Sequence, residues 1–325
     1  MRRRKDETPG GPAPLPGVSD LLRYRTPEGQ SSRRRSAPQG VHVRPRATSQ
    51  RTSIKTHGLI GAVARSHAGY AAPHSNVWFD AEDGVRLAGT LLPGPGGDTA
   101  VVVVHGFNGY RTKPKVRILV EGLARRFPVL VFDLRGHGQS DGWCTGGERE
   151  ALDVHAALAY MRGRGYRRVV SVGASLGGIA VIGAGGAGDA DAVVAISTPA
   201  RWGTSDTKAV RRMTWVFTHS IGRTMFKRLF GTRINLEWGD PPPPLEAVAK
   251  IGSPLLIIHG ADDHFFPAAD AEELYANAAE PKRLKLMPRF GHAEDGFTDA
   301  FAADLAEDIG ELLSLAADPS EPLAP

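Results

Sequence analysis

The run RRVVSVGASLGGIAVIGAG, Arg167 to Gly185, joins an apolar β-branched stretch, a G-x-S-x-G turn and an apolar helix start in immediate succession. A serine nucleophile calls for that order. Its Oγ must stand exposed on a strained strand-to-helix turn, a helix N-terminus should lie behind it for an oxyanion, and a base must reach it. Ser175 has RRVVSVGA directly before it and LGGIAVIGA directly after. Gly173 and Gly177 allow close backbone packing around so sharp a turn, and Gly178 adds room.

A second stretch, GQSDG (Gly138 to Gly142), has the same letters. Ser140 lacks the context. It lies beyond its strand, past Arg135-Gly136-His137-Gly138, and the following DGWCTGG is loop. Ser175 is therefore the expected nucleophile and Ser140 is not.

Working outward from Arg167, the chain alternates strands and helices. TAVVVVHG (Thr99 to Gly106) and PVLVFDLRG (Pro128 to Gly136) are continuous apolar runs, the pattern of strands buried on both faces. DAVVAIS (Asp191 to Ser197), PLLIIHG (Pro254 to Gly260) and RLKLMP (Arg283 to Pro288) are further strands. Helices are expected over 114–126, 148–165, 268–279 and 298–315. Upstream, SNVWFDAEDGVRLAGTLLP reads as two strands around the turn dipeptide Asp83-Gly84, making an antiparallel edge. The expected fold is α/β: a mostly parallel eight-stranded sheet with helices on both faces. The interval 199–253 is too long for an ordinary connection and is expected to be an inserted cap. It holds Trp202, Trp215, Phe217, Phe226, Phe230 and Trp238, and WVFTHSIGRTMFKRLF reads as one or two amphipathic helices.

An acid and a base should follow the nucleophile on later strands, in that order. ADDHFFP comes after PLLIIHG, and RFGHAED comes after RLKLMP. His292 is the natural general base. The acid is Asp262 or Asp263, whose task is to hold His292 in one tautomer and to stabilise its imidazolium.

From about Asn76 to Leu315 the chain resembles the α/β-hydrolase superfamily, on VVVVHGF, FDLRGHGQSDG, GASLGG, IIHGADDHFFP and FGHAED in that order. Within it the chain looks like the lysophospholipase, monoacylglycerol-lipase and serine-peptidase-like group. The resemblance implies that the acid of G-x-x-D-x-x-[VIF]-P falls on Asp263, counted from Gly260 to Pro267. It implies oxyanion donors at the backbone N–H of Phe107 and of Leu176. It makes RGHG-x-S a loop that shapes one wall of the site, so that His137 and Ser140 are structural hydrogen-bonding residues and His105 braces the oxyanion loop. The implied activity is that of a serine hydrolase cleaving a carboxylic ester, acyl or lipid-like, through an acyl-enzyme. An amidase, peptidase or thioesterase of the same fold is the alternative. A non-catalytic binding protein of this fold is the alternative from another class.

The bulk numbers narrow the context. The 325 residues carry a net charge of +5, but residues 1–57 carry about +9 and the remainder about −4. That segment is rich in Arg, Pro, Gly, Ser and Gln, and residues 1–65 are expected to be a disordered basic tail. The core is expected over 66–198 and 254–325. Without aromatic interleaving the tail reads as a solvated segment, and no nucleic-acid partner is expected. The start MRRRKDETPGG lacks the apolar stretch of a signal peptide, and no apolar run is long enough to span a membrane. Cys144 is the only cysteine, and a cytoplasmic location is expected. GAGGAG (Gly183 to Gly188) ends a helix and precedes a strand, the reverse of a dinucleotide fingerprint. HGADDH lacks zinc spacing. No cofactor, metal or obligate protein partner is expected. From Arg201 to Arg233 the cap carries about +7, so its aromatic side suggests an apolar acyl group and its basic face a peripheral membrane contact.

Overall fold

The computed structural model describes residues 69–203, 207–235, 239 and 241–317. The expected basic tail and Trp238 lie outside the described residues.

The strands are β1 (Ser75–Asp80), β2 (Arg86–Leu92), β3 (Thr99–Val104), β4 (Val129–Phe132), β5 (Arg168–Ala174), β6 (Ala192–Ile196), β7 (Leu255–Gly260) and β8 (Lys282–Met287). They form one eight-stranded sheet in the order β1-β2-β4-β3-β5-β6-β7-β8. β2 is antiparallel to both its neighbours, and every pairing from β4 to β8 is parallel. The edge hairpin therefore reverses only β2; β1 runs with the rest. The order turns back at β3 and β5, which lie at the centre of the sheet. In open α/β sheets such a switch leaves a crevice at the carboxyl ends of the strands.

Parallel strands need crossovers, and the crossovers put helices on both faces. The α-helices are α1 (Pro114–Ala124), α2 (Glu150–Gly163), α3 (Leu176–Gly185), α4 (Lys208–Thr218), α5 (Ser220–Phe230), α6 (Pro244–Val248), α7 (Ala268–Asn277) and α8 (Asp299–Ala317), of which all but α4 and α5 pack on the sheet. Alternate residues of one strand serve opposite cores. Val102 and Val104 pack with Leu158, Val181 and Leu274 on the face of α2, α3, α6 and α7. Val101 and Val103 pack with Leu119, Leu123, Leu305 and Ile309 on the face of α1 and α8. That is why β3 through β7 are apolar without alternation. Each such side chain contributes roughly 1.5–3 kcal/mol relative to exposure.

The interval 199–253 divides in two. α4 and α5 form a helical hairpin broken at His219, whose φ of −103° and ψ of 130° are extended. α6 does not stand apart with it: Leu245, Val248 and Ile251 are buried in the core beside α3 and α7. Their three-residue spacing presents one apolar face to the core, so the inserted unit is narrower than 199–253.

The RGHG loop after β4 is held by buried charge. The Arg135 guanidinium donates to Asp153 Oδ1 (2.7 and 2.9 Å) and to Asp83 (2.7 and 3.2 Å). Asp153 Oδ2 also accepts from the Arg135 N–H at 2.8 Å. Ser140 is buried as well: its Oγ donates to the Asp133 carbonyl and accepts from the Ala88 N–H at 2.9 Å. Both hydrogen-bonding roles of that hydroxyl tie the loop to β2 and β4.

Removing one partner of a buried pair leaves an uncompensated charge. Asp153→Ala is expected to lower the unfolding free energy by about 3 kcal/mol, read from the urea midpoint. A change under about 0.5 kcal/mol would show that Asp83 alone suffices for Arg135.

Candidate active site

Ser175 lies on the turn between β5 and α3, with φ 54° and ψ −114°. For a residue with a Cβ that backbone costs roughly 1–3 kcal/mol, and its surroundings enforce it. The Ser175 N–H donates to the Ile196 carbonyl at 2.8 Å, and the Ser175 carbonyl accepts from the Ile179 N–H at 3.0 Å. A Cβ at Gly173 would stand 2.1 Å from the Gly177 carbonyl oxygen, and one at Gly177 would stand 2.3 Å from the Val104 oxygen. A side chain at Gly173 would push α3 off the end of β5, and one at Gly177 would push α3 off β3.

His292 Nε2 is 3.0 Å from Ser175 Oγ, and His292 Nδ1 is 2.7 Å from Asp263 Oδ2. An ionised carboxylate only accepts, so the Nδ1 proton faces Asp263 and the neutral ring turns its Nε2 lone pair toward the hydroxyl. Burial pushes the Asp263 carboxyl up, but the hydrogen bond and charge of His292 and the N–H groups of Phe266 and Phe265 outweigh it, and Asp263 sits below the usual carboxylate range. Those two N–H groups reach Asp263 Oδ1 at 2.8 Å from Phe265 and 3.0 Å from Phe266. Asp262, the other acid open from local sequence, is exposed. The loops after β7 and β8 touch: a Cβ at Gly260 would meet the Gly291 oxygen at 2.0 Å.

The segment after β3 lies against the serine. A Cβ at Gly106 would stand 3.2 Å from Ser175 Cβ. Phe107 follows it, and Leu176 is the first residue of α3, where an N–H has no partner within its helix. His105 Nε2 accepts from the Leu134 N–H at 3.1 Å while its Nδ1 faces the Gly106 carbonyl at 2.8 Å. That clamps the loop between β3 and β4. Burial holds His105 below the usual histidine range and pushes His137 down to about 3. Both are neutral rings, stacked edge to face at 5.2 Å.

Two supporting residues, His259 and Ser197, were not singled out from sequence. His259, fully buried at the end of β7, has Nε2 at 3.1 Å from the Phe266 carbonyl and 3.6 Å from Asp263 Oδ2, bracing the turn that carries the acid. Ser197 Oγ accepts from the Ala293 N–H at 2.9 Å and anchors the residue after His292. The hairpin also reaches the site: Phe217 and Phe226 lie 4.7 and 5.1 Å from the Phe107 ring. For His259 and Ser197 the available signals were a histidine beside the acid-bearing turn and a serine closing the AVVAI strand. Neither of these specifies a partner. Together the residues supply a hydroxyl, a ring nitrogen positioned to take its proton, and a carboxylate to orient that ring, which is the apparatus of nucleophilic catalysis.

Residues 99–183, which include the serine turn, match the family model described as alpha/beta hydrolase fold. The uncharacterized protein YfhR of Salmonella typhimurium is 32% identical over 247 residues, covering 71% of this chain and 78% of the relative. Among solved structures, the Pyrococcus furiosus esterase Pf2001 aligns over 75% of this chain and 93% of its own, with a TM-score of 0.59 and 23% identity. The ferulic acid-bound Est1E of Butyrivibrio proteoclasticus aligns over 73% and 99%, with a TM-score of 0.54 and 18% identity. At these identities the two structures speak for the fold alone. Fold match, family model and a relative matched over more than two thirds of both chains agree: the chain belongs to the α/β-hydrolase family.

Proposed function

We propose that the protein is a serine hydrolase that cleaves a carboxylic ester by two-step acyl transfer. The observation that carries this reading is the hydrogen-bond chain from Asp263 through His292 to Ser175, at 2.7 and 3.0 Å, on a strained strand-to-helix turn. His292 Nε2 takes the Ser175 proton as Oγ attacks the carbonyl carbon. The backbone N–H groups of Phe107 and Leu176 hold the developing oxyanion. His292 then gives that proton to the leaving oxygen as the first ester bond breaks. In the second half His292 takes a proton from water, the hydroxide equivalent attacks the acyl-enzyme, and Ser175 recovers its proton. Asp263 keeps His292 in one tautomer throughout. The ester class is supported by the aromatic rings over the Phe107 loop, which suit an apolar acyl or aryl group, and by the esterase activity in the name of Pf2001. The single cysteine is consistent with a reducing compartment such as the cytoplasm.

Ser175→Ala is expected to lower kcat on a p-nitrophenyl ester by about 10⁴–10⁶-fold. Folded Ser140→Ala should keep turning over, since its hydroxyl only ties loop to sheet. Near-full activity in Ser175→Ala would remove the nucleophile assignment. Turnover of an aminoacyl anilide or a thioester in preference to esters would move the substrate class. No turnover of any of them, with Ser175 unlabelled by a fluorophosphonate, would favour a binding protein.

Phe217 and Phe226 touch the Phe107 ring, whose own N–H is the proposed oxyanion donor. Phe217→Ala with Phe226→Ala should lower kcat on p-nitrophenyl acetate about tenfold while KM changes less than about threefold, the signature of a lost transition-state contact. A change confined to KM for long-chain esters would show that the two rings bind the acyl group without positioning the Phe107 N–H.

A further inference from the structure

The hairpin of α4 and α5 has an inner face that is accounted for and an outer face that is not. Inward, Phe217 and Phe226 meet Phe107, and Gly222 lets the two helices approach until a Cβ there would stand 2.9 Å from Val216 Cα. Outward, Ile221 is 74% exposed and Met225, one turn further along α5, is 46% exposed. Trp215 of α4 is 43% exposed and Trp143, in the loop after β4, is 49% exposed. Single exposed apolar residues are ordinary on any surface. Here two share one helix face, and large indole rings stand exposed on the hairpin and on the loop beside it.

Trp143 is bound to the hairpin structurally. Lys227 Nζ stands 5.7 Å from the centroid of its ring. The next residue, Cys144, bridges to Ile234, with the Cys144 N–H donating to Arg233 at 2.7 Å and the Asn235 N–H donating to Cys144 at 3.0 Å. The loop and the end of the hairpin are therefore tied by backbone bonds.

The charge is one-sided. Residues 207–235 contain Lys208, Arg211, Arg212, Arg223, Lys227, Arg228 and Arg233 and no Asp or Glu. Some serve the fold: Arg223 donates to the Phe217 carbonyl at 2.7 Å, and Arg233 donates to the Ser140 carbonyl. Lys208, Arg212 and Arg228 are exposed.

We propose that this outer face docks on an anionic phospholipid bilayer. Lys208, Arg212 and Arg228 meet headgroup phosphates, Trp143 and Trp215 sit at the headgroup level, and Ile221 and Met225 enter the acyl boundary. A hairpin with Trp and aliphatic residues among Lys and Arg, and no acid within residues 207–235, matches the layered chemistry of such an interface, with Asp141 on the neighbouring loop the exposed acid beside Trp143. A nucleic acid would complement the cations but leave Ile221 and Met225 without a partner. The proposal does not rest on the ester reading, since its readout is binding.

The full chain should partition onto vesicles of phosphatidylcholine with 30% phosphatidylglycerol far better than onto pure phosphatidylcholine, and salt should weaken it. Lys208→Gln, Arg212→Gln and Arg228→Gln together should cost on the order of 100-fold. Ile221→Glu with Met225→Glu should cost at least about tenfold. Circular dichroism checks that each variant is folded. The +9 segment at residues 1–57 can attract anionic vesicles by itself, so a cap-specific signal is needed. Brominated lipid should quench tryptophan emission of the wild type, and Trp143→Phe with Trp215→Phe should abolish that quenching. Wild-type partitioning by the folded cap variants, no quenching, or quenching that survives the tryptophan changes would each overturn the proposal. So would loss of duplex DNA binding in the glutamine variant with vesicle binding intact.

Discussion

The left-handed backbone of Ser175 is the constraint on which the arrangement depends. A chain leaving a fully buried parallel strand must reverse into a helix within one residue. That is possible only if the flanking positions carry no side chain toward the backbone they face, which Gly173 provides against α3 and Gly177 against β3. The turn is then locked from both sides, by Ile196 of the neighbouring strand and by the first turn of α3. Its strain is balanced by the burial of β5 and α3 in the two cores. Loosening that packing would release the serine from the position in which His292 can reach it.

Around this point the sheet supplies convergence. Loops after β3, β5, β7 and β8 meet at one end of the sheet because all four strands run in parallel. Each loop is fastened separately: the β3 loop by His105 on Leu134, the β7 turn by His259 on Phe266, and the β8 loop by Ser197 on Ala293. Neutral buried histidines do part of this bracing. Burial keeps them uncharged, and a neutral imidazole can donate from one nitrogen and accept at the other. The hairpin of α4 and α5 is the one described element that rests on the site rather than forming it. Its phenylalanines are turned inward to Phe107, and its cations and exposed apolar residues outward.

Much of this was legible before any coordinates. Strand identity followed from unbroken β-branched runs, because strands covered on both faces need no polar side. The serine followed from context, since only one of the two G-x-S-x-G stretches has a strand before and a helix after. Asp263 and His292 followed from chain order and resemblance, and both stand within hydrogen-bond distance of their expected neighbours. Less legible were the limits of the inserted segment. Leu245, Val248 and Ile251 read as part of an unbroken insertion, yet their spacing fits a groove that exists only once α3 and α7 are in place. His259 and Ser197 were invisible as supports because their partners, Phe266 and Ala293, are chosen by loop conformation.

The sequence by itself determined the alternation of elements, the elbow and the chemical types available at each strand end, because periodicity and glycine placement are local properties. Only the tertiary structure decided which groups face one another: that Ser140 accepts from Ala88, that Ser197 accepts from Ala293, and that Phe217 and Phe226 lie on Phe107. Those pairings join residues from about 50 to about 120 positions apart. They exist only after the sheet has set the register that brings the loops together.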